Sequence, residues 1–111
     1  MVSVLILFAA ILLCVEVVHG TRSPFASVVP EWKYLTGNTV QSSPCVVGGT
    51  VYIGSNDANV YQLDAVTGKQ LWSYPTGGQV QSSPTMVDGT VYIGSNDGSV
   101  HALDASQGNR L

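Results

Sequence analysis

The strongest constraint on this chain is an internal repeat with a period of 40 residues. When residues 32–71 are aligned with residues 72–111, 25 of the 40 positions carry the same amino acid. Average residue usage would give roughly two or three identities by chance. Repeats of this length indicate units that cannot bury their apolar faces alone and must stack against a neighbour. The sequence therefore predicts similar units packed side by side.

Each unit contains three short segments rich in Gly, Asn and Asp. These residues accept positive φ angles or cap their own turn backbone, so the segments are predicted to be tight turns. In chain order they are residues 48–49, 56–59 and 65–68 in the first unit, and residues 88–89, 96–99 and 105–108 in the second. Three turns divide each unit into four short segments.

The segments between these turns are predicted to be strands. Residues 51–53 and 60–63 carry apolar residues at both alternating sets of positions, which indicates sheets covered on both faces. Such strands also fit a sandwich or a parallel sheet, but no helical periodicity follows residue 20 to supply crossover helices. We therefore predict an all-β fold of two four-stranded antiparallel meanders, residues 32–71 and residues 72–111, each with the length of a propeller blade.

Composition agrees with short strands and excludes two classes of protein. The chain has 12 Gly and 5 Pro, which favour tight turns over helices. Only 10% of its 111 residues are charged, too few for disorder driven by charge. Four Lys and Arg against seven Asp and Glu give a net charge of −3 with no basic run, so no nucleic-acid partner is expected.

The N-terminal segment differs in kind from the repeats. Residues 4–15 form an apolar run of 12 residues, the length of a signal-peptide core and short for a membrane span. We predict a signal peptide over residues 1–20, with Val18 and Gly20 at the small positions of a cleavage site, followed by a lead-in over residues 21–31. The alternative is an uncleaved membrane anchor over residues 1–18. Both predict a secreted, periplasmic or otherwise extracytoplasmic protein.

Two cysteines are present, and one of them lies in the predicted signal peptide. Removal of Cys14 with the signal would leave Cys45 alone, so no disulfide within the mature chain is expected. Cys45 is followed by two valines, and we interpret it as a small buried apolar residue.

The repeat resembles a known family through one continuous motif. Residues 64–72, with Asp64, Thr67-Gly68-Lys69 and Trp72, resemble the tryptophan-docking motif of the pyrroloquinoline quinone (PQQ)-type propeller repeat. This repeat is typical of quinoprotein dehydrogenases and of the propeller lipoprotein of bacterial outer-membrane assembly. The resemblance implies that the motif Trp packs against the next blade. It also implies a larger ring of about eight blades.

The second unit keeps only part of this motif. It has Asp104 and Gly108, but Gln107 and Asn109 replace the Thr and the Lys. Residues common to the units serve what every repeat must do, so a structural role is predicted for the whole motif set. That set is Trp32, Asp64, Thr67, Gly68, Lys69, Trp72, Asp104 and Gly108.

The resemblance allows two functions. The first is a non-catalytic extracytoplasmic propeller that acts as a scaffold or as a binding surface for protein or small ligand, through loops such as residues 56–59 and 96–99. The alternative is the N-terminal fragment of a PQQ- and calcium-dependent alcohol or sugar dehydrogenase. The resemblance implies that this family uses adjacent disulfide-bonded cysteines and a Glu, Asn and Asp set, whereas the predicted mature chain has one cysteine, Cys45, and one Glu, Glu31, which lies outside the repeat core. No catalytic, cofactor-binding or metal-binding residues are therefore predicted here.

Two blades are fewer than the roughly four to eight that close a propeller. The sequence therefore predicts further blades as partners, either in a longer chain or in second copies that form a homo-oligomer. Residue 111 precedes the position of the next motif Trp, which favours the longer chain. PQQ and calcium are expected only in such a longer quinoprotein. A membrane contact is expected only if residues 1–18 remain as an anchor.

Overall fold

The structure is a computed structural model, and it describes residues 31–111. The predicted signal peptide over residues 1–20, and all but the last residue of the predicted lead-in, lie outside the described residues. In the described part of the chain every regular element is a β-strand. No helix capable of crossing a membrane occurs within residues 31–111.

Seven strands form two antiparallel sheets, which confirms the all-β meander. Sheet 1 consists, in spatial and chain order, of β1 (Cys45–Val47), β2 (Thr50–Gly54), β3 (Asn59–Asp64) and β4 (Gln70–Pro75). Sheet 2 consists of β5 (Thr85–Val87), β6 (Thr90–Gly94) and β7 (Val100–Asp104). Each strand pairs with the next one along the chain, so only short connections are needed within a sheet.

The first hairpin turns adopt the backbone that their sequences predict. Gly48 and Gly49 have φ angles of 57° and 81°, and Asp88 and Gly89 have φ angles of 46° and 78°. Two successive positive φ angles are typical of the type I′ turn, whose twist matches that of the flanking strands. Asp replaces the first Gly without loss of the turn because short polar residues tolerate left-handed backbone.

Strand boundaries differ from the sequence pattern in two ways. The run of residues 40–47 suggests a long first strand, but β1 begins at Cys45, immediately after a proline that has no N–H to donate. The fourth strand, β4, spans residues 71 and 72, where one sequence unit ends and the next begins. Each sheet is therefore out of phase with the sequence repeat. In sheet 2 a single bridge between Leu103 and Arg110 marks the start of the corresponding strand.

An apolar cluster lies between the two sheets. Sheet 1 contributes one face and sheet 2 contributes the face opposite, together with Val80 from the connection between them. The buried members of the cluster are Cys45, Tyr52, Val60, Trp72, Val80, Val91, Ile93, Leu103 and Ala105. Cys45 is fully buried, as its apolar neighbours predict. The two sheets therefore share one apolar core between their facing sides.

The far face of sheet 1 has a second, smaller cluster. Ile53, Tyr61 and Leu63 are buried there, and Tyr34 packs against them from the segment that precedes β1. The Tyr34 and Tyr61 rings lie 5.5 Å apart in a tilted arrangement favourable for aromatic pairs. Residues 31–36 thus cover part of this face without belonging to a strand.

Candidate functional site

Trp72 joins the two sheets at their outer corner. It lies on β4 of sheet 1, and its Nε1–H donates a hydrogen bond of 2.9 Å to the carbonyl oxygen of Ala105, in the turn after β7. Its ring contacts Tyr52 at 6.0 Å between centroids. The indole therefore buries its apolar surface while its N–H is satisfied, which is the usual arrangement of a buried Trp.

The glycine of the same turn makes room for this ring. Gly108 has a φ angle of +76°, and a Cβ placed on it would lie 2.5 Å from Cδ2 of Trp72. The residue must therefore be Gly for two independent reasons, the left-handed backbone and the close approach of the ring. Sequence reasoning identified the glycine for the turn alone.

The same corner occurs once more, on the far face of sheet 1. Trp32 donates 3.0 Å to the carbonyl oxygen of Ala65, and a Cβ on Gly68 would lie 2.5 Å from Cδ2 of Trp32. Trp32 remains more exposed than Trp72. Both tryptophans of the motif set therefore contact a turn that lies 33 to 36 residues further along the chain.

The aspartates of the motif set hold these turns. Asp64 Oδ1 accepts hydrogen bonds of 2.8 Å from the N–H groups of Val66 and Thr67. Both bonds lower the pKa of the Asp64 carboxyl, and the bond from Thr67 has the larger effect. Asp104 makes the equivalent bonds at 2.7 and 3.1 Å, and the Ser106 hydroxyl is the main cause of its lowered pKa. Such side-chain caps fix the turn that carries the glycine.

The remaining two motif residues lie at the outer side of the turn. The Thr67 hydroxyl accepts a hydrogen bond of 3.2 Å from the N–H of Lys69, and both residues are exposed. The structure therefore brings Asp64, Thr67, Gly68 and Lys69 together around Trp32, whereas Trp72 lies at the corresponding corner between the sheets.

Two further aspartates form long-range contacts that sequence reasoning assigned only to local turns. Asp57 and Asp97 cap their own loops, with Oδ1 accepting the N–H of Asn59 at 3.0 Å and of Ser99 at 2.8 Å. Their Oδ2 atoms also accept the N–H of a glycine 20 residues earlier, Gly37 at 2.8 Å and Gly77 at 2.9 Å. Each carboxylate therefore ties a loop to the connection that enters its sheet. The recurrence of Gly and Asp at this spacing in both units was the available signal.

A different side chain completes this contact in each unit. Tyr61 donates to Asp57 Oδ2 at 2.5 Å, and His101 Nε2 lies 3.0 Å from Asp97 Oδ2. Burial and the adjacent Asp57 raise the pKa of Tyr61 to about 12. Burial raises the pKa of Asp57, but the bonds from Tyr61, Gly37 and Asn59 outweigh it and the pKa lies below 3.8. His101 therefore takes the place of Tyr61 as the side-chain partner of the loop carboxylate.

A groove of about 570 Å³ opens between the sheets at the edge formed by their first turns. Its walls include Tyr52, Gln62, Met86, Asp88 and Asp104. Gln62 is buried there and donates 2.9 Å to the Tyr52 hydroxyl, so its amide is partly satisfied inside the protein. One wall of the groove is therefore polar and carries two carboxylates, and the wall beside it is apolar.

We expect alanine to be tolerated differently at two left-handed glycines. Gly108→Ala should destabilise the protein more than Gly98→Ala, because both acquire a strained backbone but only the Gly108 Cβ would meet the Trp72 ring. The difference should be about 1 to 3 kcal/mol in the free energy of unfolding, measured by urea denaturation. Equal losses in the two variants would show that the Trp72 ring yields without cost.

We expect Asp97 to make stability depend on acid pH. The N–H of Gly77, followed by His101 and Ser99, lowers the pKa of this carboxyl to about 2. In the unfolded chain the pKa of this carboxyl is about 3.9, so the unfolded chain binds the proton at a higher pH than the folded chain does. The contribution of the Asp97 carboxylate to stability is therefore complete above about pH 4 and is lost as the pH falls through about 2. Asp97→Asn should therefore reduce the fall in urea midpoint between about pH 5 and pH 2. An unchanged fall would contradict the assignment.

The comparisons with known proteins agree with this geometry. A family model described as outer membrane protein assembly factor BamB matches residues 22–111. BamB from Moraxella catarrhalis superposes with a TM-score of 0.65 at 28% identity, over 72% of this chain and 25% of that chain. A quinohemoprotein alcohol dehydrogenase from Comamonas testosteroni superposes with a TM-score of 0.61 at 28% identity, over 67% of this chain and 13% of that chain.

A further structure shares the fold alone. A europium-containing methanol dehydrogenase superposes with a TM-score of 0.63 at 23% identity, over 71% of this chain and 18% of that chain. No curated protein sequence matches this chain. The chain thus spans a quarter or less of the length of these three solved structures. On the extent of the family match, the chain belongs to the PQQ-like β-propeller repeat family and forms a part of such a propeller.

Proposed function

We propose that this chain is a non-catalytic, extracytoplasmic propeller element that acts as a scaffold and binding surface. The proposal is supported by what its carboxylates do. Asp57, Asp64, Asp97 and Asp104 all accept hydrogen bonds from the backbone N–H groups of turns. A carboxylate whose lone pairs are engaged by fixed amides stabilises a loop and is poorly placed to act as a base or as a metal ligand.

The oxygen donors of the described residues do not match what calcium and PQQ need. Calcium takes roughly six to eight oxygen ligands that converge on one point. In Asp57 and Asp97 both carboxylate oxygens already face internal donors. Within residues 31–111 no three His, Cys, Asp or Glu side chains converge as metal ligands would. The described residues therefore do not fit a calcium-bound quinone.

The loops that carry Asp57 and Asp97 are the proposed binding surface. They are residues 56–59 and 96–99, which share the Asn-Asp pair and differ at the two positions that follow. Asn56 Oδ1 is buried and accepts no hydrogen bond from the described residues. A buried carbonyl oxygen of this kind is stabilised by a bound water or by a polar group of a ligand. A family described as an outer membrane protein assembly factor favours a protein as the bound partner.

A second candidate is that the chain is the N-terminal part of a quinoprotein dehydrogenase. It is supported by quinohemoprotein alcohol dehydrogenase ADHIIG from Pseudomonas putida HK5, which is 31% identical over 64% of this chain and 12% of that chain. In such an enzyme the residues that bind the quinone would lie outside the part described here. Both candidates therefore predict that the purified chain alone is inactive, and they differ in whether a longer protein that contains it oxidises an alcohol.

We expect the purified 111-residue chain, supplied with PQQ and Ca²⁺, to oxidise neither primary alcohols nor glucose in a dye-reduction assay. The physical reason is that no general base or metal shell is assembled from residues 31–111. A quinoprotein alcohol dehydrogenase assayed in parallel shows that the assay works. Turnover above the level without the chain would overturn the proposal.

We expect the protein to be exported with a mature N-terminus at Thr21. The apolar run over residues 4–15 and the small residues at Val18 and Gly20 support cleavage after Gly20. The measurement is N-terminal sequencing of the protein recovered from the extracytoplasmic fraction of the producing cells. Replacing Gly20 with Arg should block cleavage and leave the longer form on the membrane. Recovery of the full-length chain in the cytosol would contradict the proposed location.

A further inference from the structure

The groove between the two sheets is lined by polar residues that the two units of the repeat do not share. Three of them stand where the other unit has glycine or an apolar residue: Gln62 for Ala102, Asp88 for Gly48 and Ser106 for Val66. Residues that every repeat needs for stacking are common to the units. Polar residues that are not common to the units, and that line one groove, therefore indicate a role beyond the fold.

The groove carries negative charge, and none of its lining residues is cationic. Asp88 is exposed, and its carboxylate forms no ion pair or hydrogen bond with the described residues. Asp104 Oδ1 accepts hydrogen bonds from Ser106 and Gln107, whereas Oδ2 accepts none from the described part of the chain. Donation from Ser106, followed by Gln107, lowers the pKa of the Asp104 carboxyl and keeps it ionised. Two carboxylates are therefore available to a ligand.

A buried acceptor lies in the same groove. Gln62 is 6% exposed, and its Nε2 donates 2.9 Å to the hydroxyl of Tyr52, which is 2% exposed. The other polar atom of the amide, Oε1, accepts no hydrogen bond from residues 31–111 and is not enclosed by them, so it faces the groove. The acceptor of a side chain buried this deeply is normally satisfied by the protein, a water or a ligand. Gln62 therefore presents a fixed acceptor to whatever fills the groove.

These acceptors match an organic ammonium group. An ammonium has three N–H donors and no acceptor, which suits two carboxylates and one amide oxygen. A metal ion is a poorer match, since within residues 31–111 no three His, Cys, Asp or Glu side chains converge as ligands. Val47 and Met86, at the edge of the shared core, line the apolar part of the groove and suit an aliphatic chain.

The backbone of the walls favours a free small molecule over a peptide. The carbonyl oxygen of Gly89 accepts the N–H of Ala105 at 2.9 Å, and that of Asp104 accepts the N–H of Gly108 at 2.7 Å. An extended peptide is recognised through free backbone groups, which these turns do not offer. The volume of about 570 Å³ lies in the range of small-molecule sites.

Further chain along the outer edge of sheet 2 would leave the groove open. In sheet 1, β4 runs along β3 from Leu63 to Asn59, away from the turn at Asp64. The bond of 2.9 Å from the N–H of Leu111 to the carbonyl oxygen of Ala102 starts the same course along β7. The groove walls are the facing sides of the two sheets, and this course leads away from them.

We propose that the groove binds a small organic cation, a primary ammonium group carried on a short aliphatic chain. The ammonium lies at the carboxylates of Asp88 and Asp104 and at Oε1 of Gln62, and the chain lies on Val47 and Met86. The site is at the opposite end of the strands from the loops over residues 56–59 and 96–99. It therefore goes beyond the proposed function and does not depend on it.

The test is a titration of the purified full chain with n-pentylammonium chloride, followed by heteronuclear NMR. We expect chemical-shift changes at the backbone amides of residues 86–89 and 104–106 and at the side-chain amide of Gln62. The matched ligand is n-pentanol, which has a hydroxyl in place of the ammonium and should bind at least about tenfold more weakly, since it lacks the charge-assisted bonds. Equal affinity for the two ligands would overturn the proposal.

A variant pair tests the charge at Asp88. Asp88→Gly installs the residue of the first unit and suits the φ angle of 46°, so the turn is kept. It should weaken n-pentylammonium binding about three- to tenfold. Glu31→Gln is the control, because it removes one negative charge from an exposed residue outside the groove and should leave binding unchanged. Equal effects of the two substitutions would contradict the assignment.

A third ligand distinguishes a free amine from a lysine side chain. Nα-acetyl-lysine N-methylamide carries the same ammonium and aliphatic chain on a peptide backbone. We expect it to bind no more tightly than n-pentylammonium, because the backbone groups of the turns are already paired. Binding that is at least about tenfold tighter would overturn the proposal of a small free ligand and assign the groove to a lysine of a partner protein.

Discussion

Close approach at two glycines determines how the sheets pack. Gly54 lets Val80 reach the backbone of sheet 1, and Gly108 lets the Trp72 ring lie on the turn of sheet 2. The apolar faces that meet beside these two contacts form a single core. Interiors are packed closely, so an added methyl group at either glycine must displace a neighbour or strain the backbone. Strand pairing places the strands within each sheet, and this interface places the two sheets against each other.

The carboxylates act on the same interface from its rim. Asp104 fixes the turn on which Trp72 rests, and Asp97 ties the β6–β7 loop to the connection that leaves β4. Hydrogen bonds lower the pKa of both carboxyls, and the largest effect comes from the Gly77 N–H at Asp97 and from the Ser106 hydroxyl at Asp104. Acid groups that look catalytic in a sequence are here parts of turns. This use of Asp supports a binding or scaffolding role for the described part of the chain, and it gives stability a dependence on acid pH.

Much of the fold could be predicted because the same pattern of turns and strands occurs in both units of the repeat. Turn positions at Gly48-Gly49 and Asp88-Gly89, the capping aspartates and the all-β class all follow from local backbone preferences, which depend on neighbours in sequence. The start of β1 at Cys45 was not evident, since the segment between the preceding residues and the first turn, residues 40–47, carries no turn signal other than Pro44. The contact between Val80 and Gly54 was also missed, because the two residues lie in different units of the repeat and no local rule relates them. Asp57 and Asp97 were assigned to their own loops for the same reason.

The sequence by itself determined the repeat, the turns, the strand class and the family to which the motif belongs, since each depends on residue types at fixed spacings. Only the tertiary structure decided which faces are covered. Tyr52 and Tyr92 are the same residue in the same local sequence, yet one is buried and the other is exposed. Burial depends on what lies opposite a sheet, and in a repeat protein that is the neighbouring unit. The physical reason is that identical local sequences fix identical local structure, whereas the hydrophobic free energy of a face is realised only when a second surface removes it from water.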